Sequence, residues 1–440
     1  MKSRLLALWR GLPVPVRRAA HLTAGAPGAA FRATSEAIDR AAKARAEQAA
    51  RAAKARAERK AQARARRRAR RRGLPPSLPV TVVGFHGAVH GLGEGARMLA
   101  RGLADAGLAT RAIDLSADVG FPIDLPVAFP PPAASERGMV ISHINPPELL
   151  RWARATEGRP LEGRRHIGYW AWELEDAPAD WAPAFDLVDE VWTPSAFAAD
   201  AIRKIAPARV KVSPAPYPLY LNPRPAPDRA RFGFPEGVVV VLMAFDLRST
   251  AQRKNPYAAL QAFRKARTAT DRPALLVCKI VGADLYPETL EALRESVAGD
   301  PSIRLMTESL SADDMALLTA SSDIIVSLHR SEGYGLLLAE AIWLGKPTLA
   351  TGWSSNVEFM DPASSQLVDF QLIAVEGDGA IYRVGRWADA DVDDAAVKLA
   401  RMIGDDALRE DMAAATARNG HVSFDRDAWL RMTRALLPLG

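Results

Sequence analysis

Two carboxylates eight positions apart bracket the run Glu332-Gly-Tyr-Gly-Leu-Leu-Leu-Ala-Glu340, the segment of this chain best equipped for chemistry. Glycines at 333 and 335 let the backbone approach a ligand closely, and the free N–H groups at a helix start favour an anion such as phosphate. Ahead of the run, Asp323-Ile-Ile-Val-Ser-Leu328 reads as a buried strand. Behind it, Leu336, Leu337, Ala339, Ile342 and Trp343 recur at helical spacing. Glu332 therefore belongs to a strand-to-helix loop and Glu340 to the helix, roughly 10 Å further on at about 1.5 Å per residue. The pair can hold different parts of one elongated ligand.

The elements that must position these residues alternate strand and helix from Leu78 onward. Strands are expected at 80–84, 110–114, 139–142, 166–170, 190–193 and 210–213, with a helix from Gly95 to Ala106. After the proline-rich stretch 214–227 the alternation restarts, with strands at 238–243, 275–281, 303–306, 324–328 and 347–350. Such repeats predict parallel sheets covered on both faces, in two doubly wound blocks facing a cleft. Ligands of these sheets bind beyond the carboxyl ends of the strands, so the loops there carry the search.

Four loops stand out besides the carboxylate run itself. Gly87-Ala-Val-His-Gly91-Leu-Gly93-Glu94-Gly95 follows the first strand and reads either as a structural turn or as a phosphate cradle. It departs from the strict dinucleotide spacing, which argues against a NAD enzyme. Ser142-His143-Ile144-Asn145-Pro146 puts a histidine and an asparagine at a strand end, where His143 is either a structural hydrogen-bond partner or functional. In Gly168-Tyr-Trp-Ala-Trp-Glu173-Leu-Glu175 the tryptophans suit packing between domains, while Glu173 is costly to bury alone and is expected to face the cleft. Phe245-Asp246-Leu-Arg248-Ser249-Thr-Ala-Gln-Arg253-Lys254-Asn255-Pro256 brings cations opposite Glu332, as a departing diphosphate requires. A fifth run, Asp389-Ala-Asp391-Val-Asp393-Asp394, has the spacing of a metal-binding motif. It precedes the helix expected from Ala395 to Ile403, where acidic residues are ordinary caps.

The ordered set Arg253-Lys254-Asn255-Pro256, Glu332 to Glu340 and Gly345-Lys-Pro-Thr-Leu-Ala-Thr-Gly352-Trp353 resembles the donor-binding domain of the GT-B glycosyltransferases, retaining family 4 (glycosyl transferases group 1). The resemblance spans roughly residues 80 to 435 and is most specific from Phe245 to Asp369. It implies an α/β GT-B fold of two Rossmann-like domains: an acceptor domain over 78–225, a donor domain over 226–420, and a helix over 421–440 that returns to the first domain. It also implies roles. Lys254 would contact the donor diphosphate, with Arg253 sharing the task. The commoner pattern holds an arginine five or six residues earlier, where Ser249 and Arg248 stand here, so both arginines stay in contention. Glu332 would lie by the donor sugar, the backbone of Gly333, Tyr334, Gly335 and Leu336 by sugar and phosphates, and Glu340 by the ribose hydroxyls. Gly91, Gly93 and Glu94 would reach the phosphate from the other domain. His143 matches a strand-end position where related enzymes hold a histidine near the reacting sugar. Asn145 and Glu173 would serve the acceptor side.

The implied activity moves a sugar from a nucleotide-diphosphate-sugar donor to a glycan or lipid-linked acceptor, with retention, in cell-surface polysaccharide or glycolipid synthesis. Lys254 and a helix N-terminus supply leaving-group stabilisation without a metal, and no cofactor is implied, since the nucleotide sugar is a substrate. The alternatives are another GT-B activity, such as nucleotide-sugar epimerisation, or a GT-B-like binding protein without catalysis.

Composition bounds the rest. A chain of 440 residues with 48% hydrophobic residues holds two or three domains with real cores. The lone Cys278, within an apolar run, excludes a disulfide framework. No apolar run reaches membrane-spanning length and no signal peptide is evident, so the expected setting is cytoplasmic. The net charge of +7 conceals an asymmetry: residues 1–72 carry 21 Lys or Arg against four Asp or Glu, and the remainder is net acidic. Residues 1–33 read as a short amphipathic stretch and loop. Residues 34–73, almost wholly Ala, Arg, Lys, Glu and Gln, read as a long basic helix, either a solvated spacer or a segment drawn to an anionic membrane surface. Nucleic acid is disfavoured, because the run has no aromatics to stack on bases.

Overall fold

The computed structural model describes residues 79–133, 136–375 and 381–437. The amphipathic segment expected over 1–33 and the basic helix expected over 34–73 lie outside the described residues.

The first domain is built on six parallel strands: β1 (Val80–Gly84), β2 (Thr110–Asp114), β3 (Met139–Ser142), β4 (Arg165–Tyr169), β5 (Glu190–Thr193) and β6 (Lys211–Pro214). They lie in the order β2-β1-β3-β4-β5-β6. Helices α1 (Gly91–Asp105), α2 (Pro146–Ala155) and α3 (Ala196–Arg203) follow β1, β3 and β5. The second domain holds β7 (Val239–Asp246), β8 (Ala274–Val281), β9 (Ile303–Met306), β10 (Ile324–Ser327), β11 (Thr348–Thr351) and β12 (Ser365–Val368), in the order β12-β11-β10-β7-β8-β9. Strands such as Val-Val-Val-Leu-Met-Ala-Phe-Asp in β7 are near-continuous apolar runs because both of their faces are covered. One face packs against α4 (Pro256–Thr268) and α8 (Val392–Gly404), and the other against α6 (Ala312–Ala320) and α7 (Leu336–Trp343), while α5 (Pro287–Val297) joins β8 to β9.

Two doubly wound sheets are what the strand-helix alternation predicts. Three details differ. The helix expected from Gly95 begins at Gly91, because His90 caps it: its Nδ1 accepts the N–H of Gly93 at 3.2 Å. Gly91, Gly93 and Glu94 therefore form a first helical turn and not a loop. The edge strand β12 was not expected, since Ser-Gln-Leu-Val carries too few apolar residues to stand out. Nor was the antiparallel hairpin of β13 (Phe370–Ala374) and β14 (Arg386–Ala390). That hairpin takes Asp389, which accepts from Arg330 at 2.9 Å, while Asp391 caps α8 by accepting the N–H groups of Asp393 and Asp394.

The chain passes between the domains twice. A linker after β6 carries it forward, and after α9 (Asp406–Ser423) it returns as α10 (Arg426–Leu436) to the flank of the first domain. There the indole N–H of Trp429 donates to the carbonyl of Pro216 at 2.9 Å, and Arg426 pairs with Asp105 at 2.8 Å. Gly102 of α1 makes room: a Cβ there would stand 2.7 Å from the Trp429 ring. Trp429→Ala is expected to lower stability by about 3–5 kcal/mol, the usual cost of emptying a buried aromatic site. Chemical denaturation measures it, and a loss below about 1 kcal/mol would mean that α10 is not part of the first domain's core.

Candidate active site

In the second sheet β7 and β10 are neighbours although two strands separate them in sequence. The chain leaves them in opposite directions, which opens a crevice at their carboxyl ends. Both ends of that crevice are charged. After β7 a single helical turn, Ala251–Lys254, delivers two cations, and after β10 the loop delivers Glu332. The Lys254 ammonium meets Glu332 Oε1 at 2.5 Å, and Arg253 Nη1 meets Oε2 at 3.2 Å. Arg253 is 2% exposed and also donates to the carbonyl of Ser331 at 2.6 Å. Its guanidinium is thus committed to holding the loop. The Lys254 side chain keeps 18% of its surface, so it is the cation that a ligand can reach.

Backbone strain gathers around this cluster. Thr250 (φ +61°), Asn255 (φ +49°) and Ser354 (φ +74°) all sit in the left-handed half of conformational space, a cost of roughly 1–3 kcal/mol at such positions. Each flanks a functional group. Thr250 Oγ1 accepts the N–H of Arg253 at 3.2 Å, Asn255 follows Lys254 directly, and Ser354 Oγ accepts the N–H of Glu332 at 2.8 Å. Ser355 donates to the Glu332 carbonyl at 2.8 Å. His329, fully buried, spans Ser327 and Asn356 at 3.0 Å each. The contribution of Ser354, Ser355 and His329 was missed from sequence. Only the nearness of His329 to Glu332 hinted at it.

Burial opposes a charge on Glu332, but Lys254 and Arg253 overcome it and hold the carboxyl well below the usual range. Burial lowers the Lys254 pKa, as does repulsion from Arg253, against the pull of Glu332. Glu340 is the opposite case. Burial and the nearby Glu94 push it up to about 8, offset in part by Arg101. The Asn222 amide, from the interdomain linker, donates to Glu340 at 3.3 Å while its oxygen accepts from Arg101 at 3.2 Å. Arg101 and Arg97 both pair with Glu94, so Glu94 is engaged in bracing α1.

The structure brings the remaining expected residues together in two groups. Arg248 pairs with Asp246 at 2.9 Å and reaches the other domain, donating to the carbonyl of Val89 at 2.6 Å, while the Ser249 carbonyl accepts from Arg253 at 3.3 Å. Gly91 lies so near α7 that its Cβ would be 3.9 Å from Leu336 Cδ1. The N-termini of α1 and α7 therefore converge, and both favour an anion. Gly335 (φ +87°) is the residue that turns the chain into α7. The Gly333 carbonyl accepts from Ser195 at 2.7 Å, across the domain boundary. Glu173 joins the charge cluster at 4.0 Å from Arg253, and burial raises its pKa.

His143 packs against the start of α1, where a Cβ at Gly95 would stand 2.8 Å from its Nε2. It is fully buried, stacks on Tyr169 at 4.5 Å and meets the Tyr217 hydroxyl at 2.9 Å, while the Tyr217 ring meets that of Tyr334 edge-on at 5.0 Å. Burial lowers its pKa to about 3, so the ring is neutral and supports the Tyr334 turn from below. Asn145 accepts the N–H of Ala171 at 3.0 Å and braces the tryptophan-rich loop.

Residues 227–370 match the family described as Glycosyl transferases group 1. Over the larger part of the chain, HepE of Anabaena, crystallised with UDP-glucose, superposes with a TM-score of 0.58 at 14% identity, covering 82% of this chain and 99% of that one. The fold is GT-B. A glycosyltransferase from Rickettsia africae gives 0.57 at 15% identity with 82% and 98% covered. WaaG, a glycosyltransferase involved in lipopolysaccharide biosynthesis, gives 0.55 at 17% identity with 82% and 100% covered. Against S. aureus TarM, with a TM-score of 0.50 at 10% identity, the match takes 68% of this chain and spans only 55% of that longer protein. No curated protein matches the chain by sequence. The family match and the GT-B fold together support a GT-B glycosyltransferase.

A carboxyl whose pKa is raised in the folded state binds its proton there and releases it on unfolding, so stability falls as pH rises between its unfolded value of about 4.3 and about 8. Glu340→Gln should remove that slope. The variant is expected to melt higher than the parent at pH 8 and level with it near pH 4.5, and parallel melting curves at both pH values would show that Glu340 is not buried uncharged.

Proposed function

We propose that this protein transfers a sugar from a nucleotide-diphosphate-sugar donor to a glycan or lipid-linked acceptor, with retention of anomeric configuration, in cell-surface polysaccharide or glycolipid synthesis. The observation that carries the reading is the Lys254–Glu332 pair at the switch point of the second sheet, set against two converging helix N-termini. Support comes from the family matched by residues 227–370 and from HepE, which shares the fold and was crystallised with UDP-glucose.

The chemistry follows from charge. As the glycosidic C–O bond to the diphosphate breaks, negative charge grows on the departing oxygen, and Lys254 with the amides of α7 stabilises it. Positive charge grows at the anomeric carbon beside Glu332, whose own charge Arg253 preserves. The acceptor hydroxyl attacks from the face the diphosphate leaves, passing its proton to that phosphate oxygen, so no protein nucleophile is consumed. In this scheme Lys254 exchanges its bond with Glu332 for one with the donor, and no metal is required.

Glu332→Gln and Lys254→Ala are each expected to cut transfer from a labelled donor by at least about 100-fold, the scale of losing one transition-state charge partner. Circular dichroism should show both variants folded. Turnover near the parent rate in both would sink the assignment, and labelled donor converted to an epimer without acceptor would reassign the reaction.

We further propose that residues 1–72 hold the enzyme on the inner face of the cytoplasmic membrane. Their excess of 21 basic over four acidic residues is drawn to anionic lipid at about 1 kcal/mol per Lys or Arg near the surface. The full chain should sediment with phosphatidylserine vesicles at low salt, and a chain starting at Gly73 should stay in the supernatant. Equal sedimentation of the two would rule the segment out as the anchor.

A further inference from the structure

The crossing between the domains carries a relay of polar side chains to which the reaction scheme above gives no part. Asn222 closes the short helical turn Leu219–Leu221 in the linker after β6, its N–H bonded to the Leu219 carbonyl at 2.9 Å. From there it reaches both domains. Its amide oxygen accepts from Arg101 of α1 at 3.2 Å, its amide nitrogen donates to Glu340 Oε1 of α7 at 3.3 Å, and its backbone carbonyl accepts the indole N–H of Trp343, also on α7, at 3.1 Å. Arg224 lays its guanidinium over that same indole, 3.5 Å from the ring centre. Beside these bonds Leu219 shares one apolar cluster with Leu99 and Leu103 of α1 and with Leu338 and Ile342 of α7.

Chemistry fixes the direction of the amide. A guanidinium has only donors, so the Asn222 oxygen must face Arg101 and its NH2 group must face Glu340. Arg101 is itself aligned by Glu94 at 3.0 Å, so acceptor and donor alternate along the chain carboxylate, guanidinium, amide, carboxyl from one helix to the other. Among the described residues the Glu340 side chain has no other hydrogen-bond partner. Its Oε2 is neither bonded nor fully buried, so a ligand can reach it. A donor with its diphosphate at the converging starts of α1 and α7 places the next group, the ribose, about one helical turn along α7, where Glu340 stands. Ribose hydroxyls both donate and accept, so they pair with Oε2 whether or not the carboxyl holds its proton.

We infer that Asn222 is a positioning residue for the donor: anchored by Arg101 of the first domain, it holds the Glu340 carboxyl of the second by one oxygen and leaves the other open to the ribose. Recognition of the ribose then depends on both domains and on the linker that joins them. This rests on the donor reading of the cleft given above, and it adds a dependence on Arg101, a side chain of the opposite domain that meets no ligand in that scheme.

Calorimetric titration of the full chain with UDP, GDP, ADP and CDP selects the nucleoside diphosphate that binds best, and its 2′,3′-dideoxy counterpart and inorganic pyrophosphate complete the set. The parent should bind the ribonucleotide about tenfold or more tighter than the dideoxy form, the scale of leaving a polar group unpaired. Asn222→Ala should cut that ratio at least about threefold while pyrophosphate affinity stays within roughly twofold. Arg101→Met, which leaves Glu94 its pair with Arg97, should cut the ratio in the same direction. In a Glu340→Ala background neither substitution should change the ratio further, because groups acting in one network are not additive. A merely loosened fold would instead weaken ribonucleotide, dideoxynucleotide and pyrophosphate alike. An unchanged ratio in both Asn222→Ala and Arg101→Met, losses that add to that of Glu340→Ala, or an equal loss for pyrophosphate overturns the inference. So does a parent that binds the two nucleotide forms equally. If Asn222→Ala does not fold, Arg101→Met, at a side chain 39% exposed, decides the matter. If the parent binds neither pyrophosphate nor any nucleotide, the donor reading itself falls.

Discussion

The structure turns on keeping one carboxylate charged in a place where burial opposes it. Glu332 is held between two cations, and the two are not equivalent. Arg253 is planar, always charged and committed to the Ser331 carbonyl as well as to the carboxylate. Lys254 offers a compact charge on a flexible stem that can turn to a better anion. In the proposed reaction the immobile cation keeps the carboxylate charged, and the mobile one turns to the donor.

Holding that arrangement requires conformations that side chains ordinarily avoid. Thr250, Asn255 and Ser354 flank residues of the cluster, and each is fastened there by a hydrogen bond or by the helix that follows. The neighbouring domain adds further ties. Ser331 donates to the Glu173 carbonyl, Ser195 to that of Gly333, and Glu358 accepts the N–H groups of Ala196 and Phe197 at 2.9 and 2.7 Å, satisfying the start of α3 from the opposite side of the boundary. The loops that position Glu332 are therefore tied to the first domain as well as to the second.

Much of the two-sheet architecture was legible because buried parallel strands are written as apolar runs and the turns between them carry glycine and proline. What stayed hidden was whatever depends on tertiary context. β12 sits at an edge and has no apolar run. Gly91 and Gly93 looked like a loop, yet close approach between helix and strand demands glycine within a helical turn as much as in a loop: a Cβ at Gly93 would lie 2.5 Å from the Ala88 carbonyl. That Arg253 is buried while Arg248 reaches the first domain could not be read from spacing. His143 stood out by its strand-end position, but its stack on Tyr169 and its bond to the Tyr217 hydroxyl could not be read from spacing.

The return of α10 to the first domain has a consequence for how the molecule is made. Arg426 and its partner Asp105 are 321 residues apart, and between them the whole of the second domain must be synthesised. During elongation at the ribosome the first sheet emerges early, but the flank around Gly102 and Pro216 stays uncovered until Trp429 follows. The first half of the protein to appear is thus the last to be finished. Domain order along the chain and order of completion run in opposite directions, which ties the finished first domain to the last helix synthesised.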